Sequence, residues 1–142
     1  MAKRRYLGRL SGPLLDRVDL RQNLLPPSRD QLAGDVGSGE GTAIVAARVH
    51  DARARMAHRY RGTPWLTNAD VPGHELRRGW PLPVESVAAM NAMARTGALS
   101  VRGLDRVVRT AWTIADLDGR SRPDRVDIGR ADDLRRGGPA TA

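Results

Sequence analysis

The sequence predicts an all-α protein in which a small helical bundle, over residues 42–136, follows a largely flexible N-terminal segment. Apolar residues within 42–136 recur at steps of three and four, the spacing that places them on one face of a helix. Candidate caps and Pro residues precede these stretches, and Gly residues follow them. Residues 21–41, by contrast, are rich in Pro, Gly and Ser without apolar periodicity, which predicts a flexible linker.

The stretch before the linker, residues 9–20, has the pattern of a short helix followed by a short strand. Ser11 is a candidate N-cap and Pro13 suits a first helical turn, while residues 18–20 alternate apolar and polar. Arg17 lies at the junction of the two elements. A guanidinium held there can stabilise the charge of a transferring phosphoryl group. The alternative is a surface salt bridge with Asp16 or Asp19.

The first long helix is predicted to begin at Thr42, as its cap, and to end at Gly62 and Pro64. One apolar stripe supports it, formed by Val45, Val49, Ala52, Met56 and Tyr60.

Residues 62–97 are less regular. We expect Trp65 and Trp80 to fill the core from loops, and Asn68 to cap a turn. Pro72 is placed to open a short helix through Arg77. Pro83 opens another that closes near Gly97, with one apolar face formed by Val84, Val87, Met90 and Ala94.

The strongest helical pattern begins after Ser100, a candidate N-cap, and ends at Gly119. Its wide apolar face predicts the central core helix; the face comprises Leu104, Val107, Val108, Ala111, Trp112, Ile114, Ala115 and Leu117. A last short helix is predicted to start at Asp127 and carry Ile128, Ala131 and Leu134. Residues 137–142 are disordered by composition.

The composition is that of one modest domain with a small core: 142 residues, 40% apolar and 4% aromatic. The absence of Cys excludes disulfides, thiolate metal sites and a Cys nucleophile. No apolar run reaches the length of a membrane span or of a signal sequence. We therefore expect a cytoplasmic protein with no membrane partner.

The net charge of +8 arises from 24 basic residues, of which Lys3 is the only lysine. An Arg excess of this kind favours contact with the phosphates of a nucleotide or a nucleic acid. It also arises from a GC-rich coding bias that replaces Lys with Arg on solvated faces. The charge is therefore compatible with phosphate binding without establishing it.

Several kinds of site are absent from the sequence. The Gly-rich residues 37–42 lack the Lys that a Walker A loop needs, and no apolar strand ends in Asp-Glu. His50, His58 and His74 are scattered, so we expect no metal site. No Ser/His/Asp arrangement or acid–base pair of carboxylates stands out. Catalysis by this chain alone is not expected.

Residues 99–119, from Leu-Ser-Val-Arg to Asp-Leu-Asp-Gly, resemble the lid-helix signature of the Mg-chelatase-like AAA+ ATPases, most closely the bacterial YifB/ComM group. Residues 6–20 resemble the end of that family's ATPase core, and residues 49–53 and 68–69 fit its lid pattern. The resemblance implies that residues 1–20 are the tail of a core, 21–41 a linker and 42–136 an AAA+ C-terminal lid domain. It also implies that the chain is the C-terminal part of a longer protein.

The same resemblance implies roles for single residues. Arg17 matches the arginine finger, which reaches the nucleotide of a neighbouring subunit. Arg102 matches the sensor-2 arginine, which contacts the γ-phosphate of ATP. Arg106 and Arg109 lie one and two turns further along the helix and are candidates to flank the same phosphate, although a role as surface or interface charges explains them better. ATP and Mg²⁺ are then expected in the full-length protein, a homo-oligomer such as a hexamer, and not in this fragment alone.

Three functions are weighed on this basis. The first is a lid domain of an AAA+ motor that acts on DNA, as in competence and branch migration. The second is a helical module that binds nucleic acid nonspecifically, through its Arg-rich faces and without nucleotide. The third, the insertion of a metal into a tetrapyrrole, lacks a suitable ligand cluster. Because the core is missing, we also expect residues 1–40 to be mobile in this chain.

Overall fold

The computed structural model describes residues 17–23, 26, 39–97 and 99–138. Within these ranges it contains five helices, which confirms the all-α prediction: α1 (Thr42–Arg59), α2 (Gly73–Gly79), α3 (Val84–Arg95), α4 (Val101–Leu117) and α5 (Arg125–Arg136). The predicted helix before Arg17, most of the linker and residues 139–142 lie outside the described residues. None of the described helices combines the length and the apolar character that a membrane span requires.

Helix α4 is the centre of the bundle, as its wide apolar face predicted. It packs against each of the other four helices. Six of its eight predicted core residues are buried, whereas Leu104 is half-buried and Leu117 is 37% exposed. Around it lie the buried side chains of the other elements, namely Tyr60, Val71, Leu76, Met90, Ile128 and Ala131. The core is therefore a shell of apolar side chains around one helix.

Side-chain caps fix the start of both α4 and α5. Ser100 Oγ accepts a hydrogen bond from the Gly103 N–H at 3.0 Å, which confirms the predicted cap of α4. Helix α5 begins two residues before the predicted start because Asp124, not Asp127, is its N-cap. The two carboxylates form a capping box in which each accepts from the other residue's backbone N–H, at 3.0 and 2.9 Å.

Two predicted caps are wrong. Helix α1 has Gly41 at its N-cap position, with no side-chain hydrogen bond, so Thr42 is already helical. The turn after Trp65 is closed by Asp70, whose Oδ2 accepts from the Thr67 N–H at 2.8 Å. Hydrogen bonds from Thr67 and from the Leu66 N–H hold the pKa of the Asp70 carboxyl below its ordinary value. Asn68, the expected cap, is buried instead.

The predicted faces of α1 and α3 are only partly correct. On α3, Met90 is buried, but Val84 is 84% exposed and Val87 is 42% exposed. The buried face contains Ser86 instead, whose hydroxyl donates to the Pro123 carbonyl at 3.3 Å. On α1, the part of the stripe near Ala52 and Tyr60 is buried, whereas Val49 is 37% exposed. The N-terminal half of α1 therefore extends beyond the core.

Trp65 and Trp80 pack against the core from loops, as predicted. The ring of Trp80 meets that of Tyr60 edge to face, with centroids 4.9 Å apart, and that of Trp65 at 6.0 Å. Three aromatic rings thus hold the loops that flank α2 against the bundle.

Candidate functional site

Arg102 lies in the first turn of α4, the position that the sequence predicts. Its side chain is exposed and forms no hydrogen bond or ion pair with any of the described residues. Ser100 occupies the N–H of Gly103, but the backbone N–H groups of Val101 and Arg102 have no acceptor within the helix. An exposed guanidinium beside free N–H groups at the positive end of a helix dipole is suited to binding a phosphate.

Arg106 lies one turn further along α4 and, unlike Arg102, has hydrogen-bond partners among the described residues. Its Nη1 donates to the backbone carbonyl of Arg17 at 3.0 Å and to the carboxylate of Asp19. Only 18% of the Arg106 side chain is exposed. The predicted phosphate ligand therefore serves, in this structure, to hold the segment before the linker.

Three further contacts hold the same segment, residues 17–23, against the C-terminal end of α5. Arg135 Nη1 donates to the Val18 carbonyl at 3.1 Å. The Arg21 N–H donates to the Leu134 carbonyl at 2.7 Å, and Asn23 Nδ2 donates to the Gly137 carbonyl at 2.7 Å. Arg21 and Asn23, which we assigned to the linker, thus make hydrogen bonds at the end of α5.

The strand predicted over residues 18–20 is not present. These residues form turn and coil, because the backbone groups of Val18 and Arg21 bond to α5 and not to a neighbouring strand. The side chain of Arg17 is exposed, and it forms no ion pair with Asp19. The partner of Asp19 is Arg106. Among the described residues, the contact that attaches Arg17 to the bundle is therefore made by its backbone carbonyl.

Residues 17–23 are referred to below as the docked segment. A groove beside α4 brings Arg106 and Arg109 together with this segment. Arg109 Nε donates to the Val71 carbonyl at 3.1 Å, which fixes this side chain along the groove. The cavity is about 370 Å³ in volume and is lined by Asp19, Leu20, Asn68, Ala69, Arg106, Arg109, Thr110 and Thr113. Arg102 and Arg17 are not among its lining residues. The three predicted site arginines therefore do not converge on one cavity.

Beneath the groove lies a buried polar cluster that the sequence reasoning missed. The carboxylate of Asp116, fully buried, accepts hydrogen bonds from Arg59, at 2.9 Å from Nη1, and from Asn68 at 3.2 Å. Asn68 in turn accepts from the Tyr60 hydroxyl at 2.6 Å. Its signal in the sequence was a carboxylate on the buried face of the central helix, four residues after Trp112.

Burial and neighbouring charged groups shift the pKa values of two residues in this cluster. Burial by itself lowers the pKa of Arg59, but its interactions with the Asp116 carboxylate and with Tyr60 together outweigh burial and raise the pKa. Burial also raises the pKa of Tyr60. The Arg59 guanidinium lies 4.2 Å from the centroid of the Trp112 ring, a cation–π distance. The cluster is a structural support for α1 and α4, with every charge matched.

Metal ligands do not cluster in the described part of the chain, where no group of three His, Asp or Glu side chains comes together. His50 and His74 are paired with their neighbours Asp51 and Glu75, each at 3.5 Å.

Residues 39–135, a span that includes α1 to α4 and all of α5 except its last residue, match the family described as magnesium chelatase, subunit ChlI C-terminal. The chain belongs to this family. An uncharacterized protein of Mycobacterium tuberculosis is 42% identical to it over 136 residues, which cover 96% of this chain and 27% of that protein. This match extends beyond the helical region into the segment that carries Arg17.

Members of the predicted bacterial group are also similar to this chain. The YifB protein of Escherichia coli is 37% identical over 114 residues, covering 80% of this chain and 22% of YifB. The competence protein ComM of Haemophilus influenzae is 36% identical over 117 residues, covering 81% of this chain and 22% of ComM. The resemblance to Mg-chelatase-like proteins is therefore confirmed. The chain spans about a quarter of the length of these relatives.

Replacing Arg106 with Ala is expected to loosen the attachment of residues 17–23 to the bundle, because it removes the contacts with Arg17 and Asp19 and leaves only those with α5 and Gly137 among the described residues. Hydrogen–deuterium exchange should then show faster exchange of the Arg21 amide, whose acceptor is the Leu134 carbonyl. Arg102→Ala, one turn away, is the matched control and should leave that exchange unchanged. Equal exchange in the wild type and Arg106→Ala would show that Arg106 does not hold the segment.

Proposed function

We propose that this chain is the C-terminal lid domain of a Mg-chelatase-like AAA+ ATPase and that Arg102 is its sensor-2 arginine. The observation that carries the proposal is the exposed guanidinium of Arg102 in the first turn of α4, which has no partner among the described residues. Family membership supports it, since the matched region contains nearly the whole bundle. ATP would lie between this bundle and an ATPase core, with Arg102 directed to the γ-phosphate.

The chain's own residues fit a phosphate better than a metal ion. The exposed side chain of Arg102 and the first N–H groups of α4 are donors, which suit phosphate oxygens. Mg²⁺ needs oxygen ligands, and no cluster of carboxylates lies near Arg102 among the described residues. We therefore infer that Mg²⁺ and the Walker elements belong to the core, and that this domain supplies positive charge.

The docked segment would couple neighbouring subunits. In a ring, such as a hexamer, Arg17 would act as an arginine finger at the neighbouring subunit's ATP. Because Arg106 and Arg135 hold the backbone of Arg17 and Val18, a movement of the bundle would carry Arg17 with it. When the bundle moves to bring Arg102 to the ATP of its own subunit, it would thereby reposition Arg17 at the ATP of the neighbouring subunit. Arg106 is in this view a positioning residue.

The sensor-2 assignment predicts that Arg102→Ala, in the full-length protein, reduces the kcat for ATP hydrolysis by about 10²-fold, because one donor to the transferring phosphate is lost. The fold should be intact, since Arg102 is exposed. Steady-state ATPase assays with circular dichroism measure both. Arg95→Ala is the control, since Arg95 is another exposed arginine with no partner in the described part of the chain. Normal turnover by Arg102→Ala would remove the assigned role.

We further propose that the full-length motor acts on DNA in the cytoplasm. The relative ComM is named a competence protein, and this chain carries a net charge of +8. A nucleic-acid-binding module without a nucleotide role is the second candidate, supported by the exposed arginines of α1. Insertion of a metal into a tetrapyrrole has less support, since the described residues form no metal-ligand cluster.

A further inference from the structure

A second cavity lies towards the opposite end of α4 from Arg102. It has a volume of about 630 Å³, within the range of roughly 300–1,000 Å³ typical of ligand sites. Four segments form it: the second half of α1, the loop after α2, Trp112 on α4 and the loop between α4 and α5. Trp112 is about 15 Å from Arg102 along the helix axis. The cavity is thus separate from the proposed γ-phosphate site.

One wall of this cavity is apolar and flat. Trp80 and Pro81 form it, and Trp80 is only partly buried. The edge-to-face contacts of Trp80 with Tyr60 and Trp65 fix the plane of the ring. A rigid, partly exposed indole is a surface on which a planar aromatic ligand can stack.

Four arginines are among the other residues that line the cavity, and no carboxylate is among the described ones. Arg55 and Arg122 are exposed and have no carboxylate partner in the described part of the chain. The Nη1 of Arg55 donates to the backbone carbonyl of Asp116 at 2.9 Å, which holds this charge over the end of α4. His58, also exposed, lies on the same rim. The other two lining arginines are paired, Arg59 with Asp116 and Arg120 with Asp127. Arg55 and Arg122 therefore supply the positive charge beside the aromatic wall that no described carboxylate neutralises.

We propose that this cavity binds a nucleotide unit of a single-stranded nucleic acid. The base would stack on Trp80, and the adjoining phosphate would contact Arg55 and Arg122, because a planar ring joined to an anion matches both walls. A single strand fits better than a duplex, in which the bases are stacked inside and cannot reach an indole. The site goes beyond the proposed role of Arg102. It requires no ATP, so each proposal can fail alone.

Fluorescence anisotropy tests the proposal with the 142-residue chain and a fluorescein-labelled oligothymidylate, without ATP. Trp80→Ala should weaken binding by about tenfold, the loss expected when one base loses its stacking partner. Arg122→Glu should weaken it by a similar factor. Arg95→Glu is the matched control. It makes the same charge change at an exposed position of α3 outside the cavity, and it should have a smaller effect on binding.

Several results would overturn the site. An equal loss with Arg95→Glu and Arg122→Glu would indicate attraction by net charge alone. Binding of a duplex of the same length as tightly as the single strand would exclude stacking on Trp80. Displacement of the oligothymidylate by micromolar AMP would identify a mononucleotide site instead of a strand site. Since Trp80 also packs on the core, circular dichroism checks its variant, and the exposed Arg122 provides an independent test.

Discussion

Replacing Asp116 with Ala is expected to destabilise the bundle by about 3–5 kcal/mol, the usual cost of removing one partner from a buried ion pair. The Asp116 side chain is fully buried, and that of Arg59 is 8% exposed. Without the carboxylate, the Arg59 guanidinium remains in the core with no counter-charge. Asn68 would lose an acceptor as well. Because such domains have a total stability of only about 5–15 kcal/mol, much of it would be lost.

Thermal unfolding followed by circular dichroism measures this effect, and the melting temperature should fall by more than about 10 °C. Asp133→Ala is the matched control, since Asp133 is exposed on α5 and should change stability by about 0.5 kcal/mol or less. Asp116→Asn keeps the shape but removes the charge, so it should fall between the two. A melting temperature of Asp116→Ala within 2–3 °C of the wild type, roughly 0.5 kcal/mol, would contradict the role given to the cluster.

Asp116 also shows what the sequence pattern could and could not predict about the fold. Periodicity located the central helix and most of its core, because burial of one face leaves a regular trace in the sequence. The same reasoning placed the buried face of α3 on Val84 and Val87, which are exposed. The buried Ser86 satisfies its hydroxyl on the Pro123 carbonyl, a contact between residues 37 positions apart. Such polar contacts leave no periodic trace.

The start of α5 illustrates a local limit of the same kind. Asp124 and Asp127 are both acceptable N-caps by residue type. The structure uses both, with Asp124 as the cap and Asp127 as its reciprocal partner three residues later. Asp127 is also fully buried against Arg120, which donates to both of its oxygens at 2.6 Å. Which of the two aspartates is the N-cap therefore depends on the contact with Arg120, which the local sequence pattern does not show.

For the site, the sequence predicted where Arg102 lies in the helix, but it did not predict the partners of Arg106. The cap at Ser100 placed Arg102 in the first turn, and the structure has it there. Arg106 has the same residue type on the same helix, yet its partners are Arg17 and Asp19, 89 and 87 residues away. The cationic cavity beside Trp80 was missed for the same reason, since separate segments of the chain form it.

The contacts of Arg106 give the docked segment its functional interest. Arg17 was predicted to lose its support without a core, but its backbone carbonyl is held by Arg106 and that of Val18 by Arg135. The side chain of Arg17 stays exposed. A residue that acts on another subunit needs such an arrangement, namely a fixed backbone and an exposed guanidinium.

If Arg17 is an arginine finger, Arg17→Ala in the full-length protein should reduce ATP hydrolysis by about 10³-fold or more, because a finger stabilises the charge of the transferring phosphoryl group. ATP binding should be retained, since the finger belongs to the neighbouring subunit's site. Steady-state ATPase assays and equilibrium binding of a fluorescent ATP analogue separate the two effects. Arg102→Ala, within the subunit's own site, should have the smaller effect on turnover.

Mixing two inactive proteins distinguishes action between subunits from action within one. One carries Arg17→Ala, and the other lacks the nucleotide-binding lysine of its own core but keeps Arg17. In a mixed ring, an intact nucleotide site of the first can meet an intact Arg17 of the second, so part of the activity should return. A finger that acted within its own subunit would leave every mixture inactive. Adding Arg106→Ala to the second protein should weaken the rescue, because Arg17 would then lose its attachment to the bundle.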